Sequence, residues 1–493
     1  MKQKRYRTYG WWAIGLSLIL ALLGLGWNMY VKYTTPVTKY VVEAGDFELQ
    51  IPKLGITSTT ISLAWNPVND ERLAGYDIYV NQEKVKEIRP SAKGVSIIPR
   101  IELDGLDSDT VYLVQVKAVD DTGATLSDSS KVPVKTLPRE PRLEATAYGA
   151  IGDGITDNTL ALQKAIRDTP AGGILHLSKG VYRTGTLFLH SYMTLELDED
   201  AVLMAVNDSS AFVKPNYVVT GGTPYLGLLQ LEGDEQGPIE NVVIRGGTID
   251  GYGWKEDLLQ EENTPEADAV TQDALDHTGL LSKSEVQAAM RRGASYEKGN
   301  STRSSLVVIH HGKDISLKHT VLRNAPAHMV EATQVDQLSI QDVRMEGMHS
   351  GDGLHWDGVG LLMHNLVMER MQQGIVVLAG HPVGSSVTEQ WNAYNLQIRH
   401  SQVGIIFSNT GNTWIQHVYL QGLTIEDVLL AMRIRETTTI GGGIRDIVVR
   451  DTQLRGIAQQ IDIGNKRNSP TEWIHTTVAV SYTHLTLPTN SLV

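Results

Sequence analysis

An all-β protein, most of it a right-handed parallel β-helix, is what this sequence of 493 residues predicts. Three observations carry the expectation. Short segments with alternating apolar residues recur beyond residue 138: Ile239–Ile244, Asp314–Leu317, Gln337–Ile340, Asn395–Ile398, Gln416–Leu420 and Arg445–Val449. Uninterrupted neighbours start about 21–29 residues apart, the period of a solenoid whose coils each contribute a short strand. Tight hairpin signals between these segments are scarce, which argues against a second antiparallel sandwich. Ahead of the repeat lie a sandwich-like stretch of short strands and, at the N-terminus, one long apolar run.

Composition narrows the function. Hydrophobic residues make up 41% of the chain and aromatic residues 6%, an ordinary globular balance with enough apolar surface for a sizeable core. The net charge is −13, with no long basic run beyond the first residues, so a nucleic-acid partner is excluded for want of a basic face. The absence of Cys removes disulfides, thiol catalysis and thiolate metal sites.

The first residues predict a location. Lys2, Lys4, Arg5 and Arg7 precede an apolar run, and no charge appears for about 24 residues between Arg7 and Lys32. That length crosses a bilayer as a helix, and the basic flank predicts a cytoplasmic N-terminus with the remainder exported. The expected layout is a cytoplasmic tail over 1–8, a transmembrane anchor over 9–31 and a linker over 32–46. The protein is then membrane-anchored and extracytoplasmic. A cleaved signal peptide is the competing reading and gives a secreted protein; its apolar core is usually shorter, about 7–15 residues.

Residues 47–138 read as a β-sandwich. Thr60–Trp65 supplies a strand ending in a Trp placed to plug a core, and Gly75–Val80 another, closed by Asn81-Gln82-Glu83. Leu106-Asp107-Ser108-Asp109-Thr110-Val111-Tyr112 then feeds Leu113–Val119, with Tyr112 where a tyrosine corner stands. The stretch resembles a fibronectin type III domain, a module that usually serves as spacer or binding platform. Pro138-Arg139-Glu140-Pro141 marks the boundary, and the β-helix is expected over 139–480. Residues 255–302 interrupt the repeat and read as an inserted surface loop; residues 481–493 do not continue it and read as a non-native tail.

The helix opens with Tyr148-Gly149-Ala150-Ile151-Gly152-Asp153-Gly154-Ile155-Thr156-Asp157-Asn158-Thr159. Its glycines suit tight turns and its Asp and Thr suit capping of the helix that follows, so its carboxylates are structural. Further on come Gly246–Trp254, Asn324-Ala325-Pro326-Ala327-His328, Gly351-Asp352-Gly353, Met371-Gln372-Gln373-Gly374-Ile375 and His400-Ser401-Gln402-Val403-Gly404. Arg433-Ile434-Arg435 precedes a glycine turn. Together these segments resemble the polygalacturonases, glycoside hydrolase family 28, a pectin lyase-like β-helix family, over about Ala145–Thr452. The pairing with a fibronectin-like module is most similar to the bacterial exo-polygalacturonosidases.

The resemblance implies inverting hydrolysis of α-1,4-galacturonan by a protonated carboxyl and a water-activating carboxylate, about 6.5–9.5 Å apart. By it, Asp352 is a surviving water-activating carboxylate, while the adjacent Asp-Asp pair reads Gln372-Gln373 and the His reads Gln402, with a register open by one residue. Neither metal nor cofactor is implied; His310-His311 point to opposite faces of a strand. Arg433 and Arg435 stand where the family holds the substrate carboxylate, and at i, i+2 they share one face. Trp391, Tyr394 and Trp414 either line a sugar cleft or pack.

An amide keeps the shape of a carboxyl but transfers no proton near neutral pH, and general acid–base help is worth roughly 10²–10⁴-fold per group. Two classes therefore stand: an exo-acting hydrolase with acids moved elsewhere, to Asp357, Glu369 or Glu389, and a non-catalytic polyuronide-binding protein of the cell surface. Both take galacturonan or pectin oligosaccharides as partner. Elimination by an Arg base is a third, without an acidic Ca²⁺ cluster to support it.

Overall fold

Alternation along each strand turns every second residue inward, and in successive coils like stacks on like. The ladder Val242, Ile315, Leu338, Leu361, Trp391, Val418, Ile447 shows it: each pairs in parallel register with the next, and all are buried. Each such side chain contributes about 1.5–3 kcal/mol on burial. The computed structural model describes residues 47–480 except 53, 66–67, 69, 91–98, 207–208, 214–225, 252–303, 348–350, 380–387, 410–412, 437–442 and 466–476. The expected anchor over 9–31, the inserted loop over 255–302 and the tail over 481–493 lie outside the described residues. Among the described residues no helix is long and apolar enough to cross a membrane.

From Arg142 onward the strands form one continuous parallel stack, a β-helix. A single coil is visible in Asp352–Glu369, a strand that bends at the left-handed Gly360 and Asn365. Its first part pairs with Gln373–Ala379, its middle and last parts with Thr388–Arg399. The corners are left-handed residues stacked over one another. Asp342, Asn365, Asn395, Gly422 and Asp451 all have positive φ, a conformation that Asn, Asp and Gly tolerate best. Asn365 Nδ2 donates to Asp342 Oδ1 at 2.8 Å, and Asn395 Nδ2 to Asn365 Oδ1 at 2.9 Å, so the corner is itself a ladder.

This register corrects one feature of the expected repeat. Asn395–Ile398 does not align with Gln416–Leu420. Asn395 is a corner, Leu396 and Ile398 pair with Leu423 and Ile425, and Trp391 and Ala393 meet Val418 and Leu420. Coils differ in length, so sequence spacing alone confuses adjacent sheets.

The entry motif is structural, as expected. Asp153 accepts the N–H groups of Ile155 and Thr156, and Asp157 Oδ1 accepts the Thr159 N–H at the start of the helix Thr159–Asp168. Asn158 ties the turn back to Ile151.

Residues 47–135 form two antiparallel sheets: Leu49–Gln50, Ile61–Trp65 and Arg100–Leu103 in one, and Gly75–Val80, Glu83–Ile88, Val111–Val119, Thr125–Asp128 and Val132–Lys135 in the other. Trp65 plugs the core, edge-on to Tyr76 at 5.1 Å between centroids. The Asp107 N–H donates to the Tyr112 hydroxyl at 2.8 Å, the expected tyrosine corner.

The sandwich is docked on the β-helix by charge. Lys318, buried on the helix, reaches Glu102 Oε2 at 2.7 Å, and His319 approaches the same carboxylate at 3.5 Å. Burial works against the Glu102 charge, but His319 and Lys318 hold its pKa down to about 2. Arg100 lies over the Tyr394 ring, where burial lowers the guanidinium pKa to about 10. Between the domains is a cavity of about 420 Å³ lined by Gln50, Ile51, Arg100, Ser316, Ser339 and Asn392.

Glu102→Ala strands Lys318 in that contact. The expected cost is about 1–3 kcal/mol, below that of a fully buried pair because Glu102 keeps some water. Limited proteolysis at residues 139–141 should accelerate. Because the folded Glu102 pKa is depressed, the wild-type contact is complete above pH about 4.5 and weakens as pH falls toward about 2.

Candidate functional site

Asp357, Arg433 and Arg435 lie on the outward face of one sheet, among residues that the sequence did not single out. In one column the register runs Val308, Glu331, His355, Val376, Ile406, Arg433. A second column, two residues on, holds His310, Thr333 and Asp357, and further along the stack Leu378, Ser408 and Arg435. The face therefore begins with acids and imidazoles, passes through aliphatic side chains and ends with two guanidinium groups. At about 4.8 Å per strand, His355 and Arg433 stand about 14 Å apart.

Asp352 is placed by its glycine neighbours. Gly351 has φ +82°, and a Cβ there would sit 1.5 Å from the Ala327 carbonyl oxygen. A Cβ on Gly353 would meet the Gly374 oxygen at 2.4 Å, and one on Gly374 the Gly404 oxygen at 2.6 Å. Close backbone stacking fixes the column beside these glycines: Asp352 pairs with Gln373, Gln373 with Val403, and Val403 with Leu430.

That column decides the open register of the third segment. Gln402 stands beside Gln372, and Val403 beside Gln373. The Gln402 N–H donates to the Met371 carbonyl. Val403 joins Val376, Ile406 and Leu430 in a buried apolar cluster, with Leu378 packed against it. Gln372 and Gln373 are half-buried and adjacent to Asp352. His400 is exposed and lies 3.4 Å from Asp427 at a corner, away from Asp352.

Asp352 itself is only 4% exposed and belongs to a charged cluster. His355 Nε2 lies 2.6 Å from Asp352 Oδ2, and His328 Nδ1 3.4 Å from the same oxygen. The two imidazoles stack at 3.9 Å. Glu331 Oε2 lies 3.1 Å from His355 Nδ1. Burial by itself would keep the His355 ring neutral, but Glu331 and Asp352 raise its pKa to about 10. Burial likewise opposes the Asp352 charge, and hydrogen bonds from His328 and His355 overcome it, holding the carboxyl well below its ordinary value. His328, Asp352 and His355 also offer three ligand atoms within 4.8 Å of one another.

The remaining expectations separate cleanly. Asp357 is buried, accepting from the Thr388 hydroxyl at 3.2 Å. Glu369 pairs with Arg344, and Glu389 with Gln416 and His417, so neither joins the Asp352 cluster. Trp391 packs inside the helix against Phe407, and Tyr394 is buried beneath Arg100. Trp414 stacks with Arg445 at 4.4 Å. Arg433 and Arg435 share the outward face, Arg433 half-buried and Arg435 exposed. Glu331 and His355 were missed in the sequence. Only the alternation of the strand Asp352–Glu369 hints that His355 faces outward, and nothing local shows that Glu331 lies one coil below it.

A β-helix of this length behind a sandwich module has known counterparts. Residues 48–135 match the family described as Fibronectin type III domain, and residues 143–223 that described as Rhamnogalacturonase A/epimerase, pectate lyase-like. The chain thus joins a fibronectin type III module to a β-helix whose opening coils match a pectate lyase-like family, and its similarity runs to polygalacturonases of glycoside hydrolase family 28. An exo-poly-alpha-D-galacturonosidase of Dickeya chrysanthemi is 26% identical over 470 residues, 87% of this chain and 77% of that protein. The family 28 exopolygalacturonase of Yersinia enterocolitica shares the fold at 22% identity and TM-score 0.66, covering 84% of this chain and 81% of its own. Plasmin and fibronectin-binding protein A of Streptococcus pneumoniae is 36% identical over 138 residues, 27% of this chain and 18% of that one.

Two outcomes test the geometry. Gly351→Ala should lower stability by at least about 1–3 kcal/mol, read as a fall in Tm, since it adds left-handed strain to a backbone clash. The folded His355 pKa is raised, so the stability it supplies is complete below pH 6.5 and is lost as pH rises toward about 10. His355→Gln should remove that alkaline decline from a plot of Tm against pH; a decline of unchanged size would show that another group causes it.

Proposed function

We propose that this protein engages galacturonan-type polyuronides along the outward face that carries Arg433 and Arg435, and that inverting hydrolysis there is slow or absent. The observation that carries the second half is the make-up of the column through Asp352. Its neighbours are Gln373 and Val403, with Gln372 alongside, and the aliphatic side chains of Val376, Ile406 and Leu430 fill the face between Asp352 and the arginines. Hydrolysis needs a protonated carboxyl on one side of the scissile bond and a carboxylate with room for water on the other. Asp352 supplies a carboxylate alone, already committed to two imidazoles. Losses of roughly 10²–10⁴-fold attend each missing acid or base, and groups acting as a unit do not add simply.

Binding rests on different residues. Paired guanidinium groups at i, i+2 present several donors to a planar carboxylate, the group repeated on every uronide unit. The similarity to exo-poly-alpha-D-galacturonosidase over most of the chain supports an acidic polysaccharide as ligand and also favours the competing reading, hydrolysis by relocated acids. The uncharged run before Lys32 supports display outside the cytoplasm on a membrane anchor.

Titration of the full chain with oligogalacturonides, followed by calorimetry and by release of reducing ends, separates these readings. The expected result is binding without measurable turnover, weakened about 10–100-fold by Arg435→Ala, the range for a lost charge-assisted hydrogen bond. Rapid release of galacturonic acid, abolished by Asp352→Asn, would establish hydrolysis instead. An ultraviolet-absorbing unsaturated product would establish elimination.

A further inference from the structure

His328, Asp352 and His355 come together from two neighbouring coils as a buried cluster on the outward face, and polyuronide binding makes no use of them. We propose that His328 Nδ1, Asp352 Oδ2 and His355 Nε2 bind a divalent first-row transition ion of the zinc class, with Glu331 orienting His355 through its other ring nitrogen.

The donor set is two imidazole nitrogens and one carboxylate oxygen, the combination that suits zinc and its neighbours and does not suit the oxygen-seeking calcium or magnesium ions. Bonds of about 2.0–2.1 Å at tetrahedral angles place ligand atoms about 3.3 Å apart. His328 Nδ1 and Asp352 Oδ2 already stand at 3.4 Å. His355 Nε2 and Asp352 Oδ2, at 2.6 Å, share a hydrogen bond and must separate by about 0.7 Å, within reach of small torsions in the two side chains.

Two further observations point to an ion. Asp352 Oδ1 is buried without a hydrogen-bond partner, although its residue is only 4% exposed. Glu331 Oε2 stands 3.1 Å from His355 Nδ1, the carboxylate–histidine arrangement that fixes a metal-binding imidazole. A divalent ion also matches the two carboxylates in charge, taking the place of the proton between Asp352 and His355. Glycine geometry supports the site from below, because Gly351 and Gly353 hold Asp352 where no side chain at either position would fit.

Neither Arg433 nor Arg435 takes part, so the site stands or falls apart from the polyuronide reading, and the titration runs without sugar. The full chain is stripped with chelator and titrated with Co²⁺, then Zn²⁺. The expected result is one equivalent of Co²⁺ per chain, visible absorption bands of a low-coordinate nitrogen–oxygen site, and displacement by Zn²⁺. Asp352→Asn, His328→Gln and His355→Gln should each lower affinity by about 100-fold or more, and Glu331→Gln by about 10–100-fold. His400→Gln, an exposed histidine elsewhere, should leave uptake unchanged. A wild-type chain that takes up no stoichiometric Co²⁺ or Zn²⁺ overturns the proposal. So does a His355→Gln chain with wild-type Tm that binds as the wild type does. Should the ligand variants fail to fold, the wild-type Co²⁺ spectrum decides.

Discussion

Every coil of this protein must return to the same place, and that one constraint orders the rest. Parallel strands stacked in register put each inward side chain on its counterpart one coil away, as Leu338, Leu361 and Trp391 show. The corners must then turn at matching points, which is why Asp342, Asn365 and Asn395 share a left-handed conformation and hydrogen-bond along the stack. A coil that slipped by one residue would send its apolar set outward and its polar set into the core. The interior therefore holds the outward columns in place, including those with no stake in stability.

The same constraint explains what the sequence made legible. Alternation and recurrence revealed the β-helix, and Trp65, Gly75–Val80 and Tyr112 revealed the sandwich, because each is a local signal. Register is not local. The register of Gln402, left open by one residue, follows from the stacking of Gly374 on Gly404, which sets Val403 beside Gln373 and Gln402 beside Gln372. Asn395 read as part of a strand for the same reason. Glu331 and His355 are 24 residues apart in sequence and one strand apart in space, and no periodic pattern marks such a pair.

Docking of the sandwich follows a different logic. Lys318 lies on the outer surface of a helix sheet, where its charge would be hydrated in the isolated β-helix. Covered by the sandwich, it needs Glu102. Such a contact adds little net affinity over an apolar one of the same size but discriminates sharply against misplaced docking, since any shift leaves a buried ammonium unpaired. The polar cavity beside it, lined by Gln50, Ser316 and Asn392, has the character of an interface between domains rather than of a single core.

The outward face presents the sharper puzzle. Desolvating Asp352 and Glu331 costs several kcal/mol per ion, and aliphatic replacements of similar size are often neutral or stabilising in such places. The face shows that replacement already made one coil on, where Val376 follows His355 in register and Val403 follows Gln373. Stability alone thus gives no reason for the charged cluster to stop where it does. Asp352 is also the residue around which Gly351, Gly353 and the Ala327 carbonyl are arranged, at the expense of left-handed backbone at Gly351. A buried charge set beside a backbone position that only glycine can occupy, with aliphatic neighbours one coil on, fits a side chain placed to bind a ligand. In the proposed function the arginines at the far end of the face answer to a different ligand, a carboxylate from solvent. Two aliphatic rows separate them from His355, so the two proposed sites can be altered independently.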